Sequence, residues 1–159
     1  MSVDIKEIKA GIGLGELKFG MSRDQVQHLL GEPEDKDSFI YEEEGNAEAE
    51  SWYYDSLDIS LEFDAEEDWK LVTIEINSTT HTLNNIAVIG LSKEALKNKL
   101  SDLNIQDWEH EELPLDEAPT HELLSSDQLA INFWFDEDAV TEVQWGPIFT
   151  DEDNIIWPA

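Results

Sequence analysis

The chain contains no cysteine, which removes disulfide frameworks, thiolate metal sites and thiol nucleophiles from consideration. It is almost as poor in base: nine Lys and Arg stand against 38 Asp and Glu in 159 residues, a formal net charge of −29. Such a surface repels phosphate, so nucleic acid and anionic membranes are not expected as partners, and a basic protein is. There is no apolar run of bilayer-spanning length. The opening stretch Met1 to Gly11 has neither an apolar signal region nor a lipidation cysteine, so a cytoplasmic location is expected.

What the chain does have is core material. Hydrophobic residues make up 40%, and six Trp, six Phe and three Tyr fall within regular apolar patterns, which disordered acidic tails lack. The acid far exceeds what solubility requires, about 2–8 charges for a small domain. Self-repulsion destabilises the compact state, so the excess calls for another explanation.

A repeat organises the sequence. Gly20 to Val26 recurs as Gly90 to Leu96, each copy opening a helix: Ser22 and Ser92 are N-cap residues, Asp24 and Glu94 follow in the first turn, and Gln25 completes a capping box. Val26, Leu29 and Leu30 form the buried side of the first helix, which Gly31 and Pro33 end; Leu96, Leu100 and Leu103 line the second. Asp55 to Asp64 matches Asp127 to Asp136. Leu57, Ile59, Leu61 and Phe63 alternate with polar residues, as do Leu129, Ile131, Phe133 and Phe135, so each segment reads as a strand with one buried face. Acidic loops follow at 64–68 and 136–138. The returning strands turn Val72, Ile74 and Ile76 inward in the first copy, and Val143 and Trp145 in the second. Residues 51–54 suggest a further strand, and 77–85 the join. The expected fold class is α+β: two tandem helix-plus-antiparallel-meander units, 1–80 and 81–159, with helices on one face of a shared or paired antiparallel sheet in one compact, pseudo-duplicated domain. The plainer alternative is two unrelated helix-plus-hairpin segments obeying the same folding rules.

Gly20-Met21-Ser22 through Val26, Leu30, Gly31 and Pro33 resembles the opening motif of the SmpA/OmlA (BamE-like) group of small bacterial domains. The resemblance covers fourteen residues, and only the first copy carries the Gly and Pro. Tandem copies are similar in architecture to the β-lactamase inhibitor protein, in which two such units form one sheet whose concave face grips an enzyme. What the resemblance implies is a protein-binding sheet, without a particular target.

Catalytic chemistry has little to work with. His28, His81, His110 and His121 stand in no nucleophile motif. Gly11 to Gly15 offers glycines, but with the wrong spacing for a phosphate loop and with Glu16 following, so a turn or strand-ending bend is expected. The acidic clusters lack the ordered ligand spacing of a calcium loop. His110 and His121, with Glu109, Glu111 and Glu122 nearby, are the candidate residues for a transition metal in a hydrolase alternative. The expectation is no catalytic residue, no cofactor and no metal.

The acid is not interspersed with base. Residues 37–69 carry 13 acidic residues and 100–159 carry 16, with no Lys or Arg in either stretch. Single-sign regions build a field that steers a basic partner. Strand alternation places Asp58, Ser60, Glu62, Thr73 and Glu75 on the open face in the first copy, and Asn132, Trp134, Glu142 and Gln144 in the second. Trp134 amid carboxylates is the leading anchor, against the alternative that the C-terminal segment Ile148 to Pro158 covers it. The expected partner-binding set is Asp58, Glu62, Glu75, Asn132, Trp134 and Glu142 on the face; Glu66, Glu67 and Trp69 in the first loop; and Asp136, Glu137 and Asp138 in the second. Trp52 and Trp108 are weaker candidates, and Trp145 reads as core. These features fit an immunity protein that neutralises a bacterial toxin, a basic nuclease, by shielding its cleft. A DNA-mimic inhibitor of a nucleic-acid-binding protein is the alternative, and whether the chain is a monomer or a dimer is left open.

Overall fold

The computed structural model describes residues 5–41, 47–83, 85–102, 108–112, 121–126, 130–149 and 155–157. Strand makes up 52% of it and helix 19%, so the molecule is mostly β. This corrects the α+β expectation of two helix-plus-meander units: a single large antiparallel sheet dominates, with two helices of about two turns each beside it. The discrepancy has a physical source. Segments that look like loops between helix and hairpin, rich in charge and lacking apolar alternation, are themselves strands.

The sheet has eight strands: β1 (Asp35–Tyr41), β2 (Ala47–Tyr54), β3 (Ile59–Asp64), β4 (Lys70–Ile76), β5 (Trp108–Glu112), β6 (Glu122–Ser126), β7 (Ile131–Asp136) and β8 (Ala139–Trp145). Their order is β5-β6-β7-β8-β4-β3-β2-β1, with every neighbouring pair antiparallel. The middle of the sheet is a seam between β4 and β8, in which Ile74, Glu75 and Ile76 face Trp145, Gln144 and Val143.

One face of the sheet is core. Trp52, Leu61, Phe63, Ile74, Phe133, Phe135, Val143 and Trp145 join Leu14, Leu17, Phe19, Val26, Leu96 and Leu100 in a single buried cluster. Full burial of each such side chain contributes about 1.5–3 kcal/mol. The glycine-rich stretch makes no phosphate loop. It forms the turns of a small sheet of residues 8–9, 13–14 and 17–18, and the Gly13 carbonyl accepts a hydrogen bond from Trp145 Nε1 at 3.1 Å.

Helix α1 (Arg23–Leu30) and helix α2 (Lys93–Ser101) lie on this core face. The Ser22 hydroxyl accepts from the Gln25 amide at 3.2 Å while the Gln25 side chain accepts from the Ser22 amide at 2.9 Å. Ser92 accepts from the Ala95 amide in the same way. Before each helix stands a glycine at φ 93, Gly20 or Gly90. Its amide donates to Leu71 or Val140, and those residues donate back to Met21 or Leu91, so each helix entry is fastened to a returning strand. That left-handed backbone selects glycine.

Bulges alter the predicted register. Glu62 faces Thr73 but Phe63 faces Leu71, and Trp134 faces Glu142 but Phe135 faces Val140, leaving Val72 and Thr141 as the extra residues. Leu71 therefore takes the buried position expected of Val72, which is half-buried. Leu57 also leaves the expected ladder, lying in a 3-10 turn over Asp55–Leu57. The expected strand residues 127–129, and Leu103, lie outside the described residues.

Candidate functional face

The side of the sheet away from the helices carries the polar half of each strand. One row crosses five strands: Ser60 on β3, Glu75 on β4, Gln144 on β8, Asn132 on β7 and Ser125 on β6. Beside it Leu123, Trp134 and Glu142 stand across β6, β7 and β8, and Glu62 faces Thr73. Of the expected residues, the fold thus brings Glu62, Glu75, Asn132, Trp134 and Glu142 onto one surface. From Ser60 to Glu62, Thr73 to Glu75, Asn132 to Trp134 and Glu142 to Gln144 there is no Lys or Arg.

Carboxylates crowd the seam. Burial pushes the Glu75 carboxyl up to about 7, helped by the charge of Glu142, a hydrogen bond with it, and the charge of Glu62. A neighbouring cation favours the charged form of such a carboxyl. At the other end of the surface the His121 ring stacks on Trp134, with centroids 5.1 Å apart and planes inclined by 14°. A paired aromatic surface thus lies one strand from Glu142.

Two depressions mark the face. The first, about 190 Å³, is lined by Ser51, Tyr53, Ser60, Glu62, Thr73 and Glu75 among others. The second, about 380 Å³, shares Thr73 with it and is lined by Val72, Ala130, Pro147 and Ile155, with Asp64 and Glu67 supplying carboxylates.

Apart from Glu67, which lines the second depression, the loop residues go elsewhere. Trp69, in left-handed conformation at φ 58, packs against the core, and the Arg23 guanidinium sits 4.3 Å over its ring. Asp64 accepts from the Glu66 amide, while Glu66 is exposed. Asp136 begins the β7–β8 turn, Glu137 and Asp138 take positive φ within it, and the Asp138 carboxylate accepts from the Lys93 amide at the start of α2. Asp58 caps the turn before β3 at φ 57, and its carbonyl accepts from Asn77. The acidic loops are therefore split from Trp134: part of their charge is used at helix N-termini, where anions are stabilising. Trp52 is buried with the Lys36 ammonium 4.6 Å from its ring centre, and Trp145 is core. The side chain of Trp108 lies outside the described residues.

The described part of the C-terminal segment lies against other elements. Residues 155–156 pair with 148–149, and Trp157 packs at Gly20 under the Lys70 ammonium. The two histidines of the metal alternative diverge. His110 Nε2 meets Glu122 at 2.9 Å, and that carboxylate also holds Lys93 at 2.6 Å, which keeps its acidity high; His121 is on Trp134. Among the described residues no group of three His, Asp or Glu could hold a metal ion, and no helix is long and apolar enough to cross a membrane. Sequence reasoning named His121 only as a metal candidate, not as the partner of Trp134, and missed Tyr53 and the Val72 depression. Alternation could have placed Tyr53, since it precedes buried Tyr54, but the other two depend on residues distant in the chain. A scan of family models, a search of curated proteins and a search of solved structures each found no significant match, so the BamE-like resemblance rests on its motif alone.

Proposed function

We propose that the protein is an acidic inhibitor of the immunity type, which binds a basic bacterial toxin, a nuclease of the cytoplasm, and shields its cleft without chemistry of its own. The observation that carries this reading is the composition of the open face: Glu62, Glu75 and Glu142 run across three adjacent strands beside the Trp134–His121 stack, with no cation among the central face positions. A nuclease must present cations to phosphate. The carboxylates would steer and select such a surface, and the aromatic pair would supply the desolvated anchor.

Coexpression with the basic product of a neighbouring gene tests this. The wild-type chain is expected to suppress the nuclease activity and toxicity of that product. Trp134→Ala combined with Glu142→Lys is expected to weaken the complex by about a hundredfold or more, mostly through faster dissociation. Undiminished protection by the double variant would remove the face from the mechanism. The DNA-mimic alternative has less support, because Trp134 and Leu123 make one end of the surface apolar, unlike a row of phosphates.

A further inference from the structure

We propose that the groove where the two depressions meet at Thr73 seats an arginine side chain of the basic partner. Its aliphatic stem would lie along Val72, Ala130, Pro147 and Ile155, and its guanidinium would reach Asp64 and Glu67. This deepens the inhibitor reading and rests on it, but it moves the principal specificity contact away from Trp134.

Three observations converge on the groove. Val72 is the extra residue of the first bulge and lines the depression, whereas its counterpart Thr141 in the second bulge is exposed. The two halves of the sheet are therefore unequal at this position, and the apolar residue is on the side with the cavity. The floor is also preformed: at Gly146 a Cβ would stand 2.8 Å from the Val72 carbonyl oxygen, so the backbones already touch there. Finally, apolar lining beside carboxylates matches a side chain with an apolar stem and a cationic, weakly hydrated head. The occupant is set by charge, since a chain of −29 selects a cationic partner.

Protein labelled at its methyl groups and Trp indole N–H groups, titrated with a tetra-arginine peptide, tests the assignment. The Val72 and Ile155 methyl signals are expected to shift in a saturable, salt-sensitive manner, with tetra-lysine binding more weakly. Val72→Arg is expected to weaken tetra-arginine binding by about tenfold, while Thr141→Arg, which adds the same charge, changes it by less than about twofold. Val72→Ser, a gentler change that keeps the backbone, is expected to weaken binding by about threefold. Equal losses from the two arginine variants, or equal binding of tetra-lysine, would overturn the arginine seat. Shifts confined to the Trp134 indole, with Val72 and Ile155 silent, would overturn the groove and leave the inhibitor reading standing; silence at both places would count against both.

Discussion

Glu75 and His81 place two opposed proton equilibria in one small protein. The folded value of Glu75, about 7, lies above the ordinary 4.5, so its stabilising contribution is fully present below pH 4.5 and is lost as pH rises through about 7. His81 is buried with Nδ1 unpartnered, and burial holds it below its usual 6.5 despite the opposing charge of Asp58. Its contribution is present above pH 6.5 and is lost as pH falls through that depressed value. Glu75→Gln removes the first equilibrium and keeps the second. The variant is expected to be more stable than wild type by about 1 kcal/mol at pH 8, a figure already reduced for the partial exposure of the carboxyl, and to lose that advantage by pH 5. Urea midpoints measured across this range check it; parallel profiles for the two proteins would contradict the assignment.

At the scale of elements, the helix entries were the most legible part of the sequence. Ser22 with Gln25 announces its own hydrogen bonds, and Gly20 and Gly90 announce a backbone turn, because these are local physics. The strands of Ile59 to Phe63 and Ile131 to Phe135 were legible for a similar reason, alternation over a single buried face. β1 and β5 were not, since edge strands such as Asp35 to Ser38 have little to bury, and charge is how edges are guarded. The bulges were invisible too, and a one-residue insertion moved Val72 off the core and into a groove. The face residues Glu62, Glu75, Asn132, Trp134 and Glu142 could be listed by alternation, but the loop residues could not be assigned to a surface without the turns that carry them. The two glycines offer a test at this scale. Gly90→Ala meets open space and costs only backbone strain, about 1–2 kcal/mol, whereas Gly20→Ala also places its methyl 3.0 Å from the Trp157 ring and is expected to cost more. Thermal unfolding of the two variants gives the order; a larger loss at Gly90 would refute the equivalence of the entries.

For the whole molecule the dominant quantity is the net charge of −29, spread nearly evenly over the two halves of the chain. Raising sodium chloride from roughly 0.05 to 0.5 M screens the self-repulsion, so the urea midpoint is expected to rise while association with a basic partner slows. If both moved in the same direction, the charge would not be acting as a long-range field. The seam between β4 and β8 gives that field a further consequence. Each flanking set of four strands pairs locally, but the seam joins residues 74–76 to 143–145 and carries the greatest loop-closure cost of the sheet's strand pairings, so it is expected to zip late in folding. Until it does, a newly made chain has two raw sheet edges, each able to template onto another copy. Mutual repulsion between such half-closed chains is expected to keep those edges apart while each finds its own partner strand, so the acid proposed to draw in a basic protein would also guard the chain against itself during synthesis.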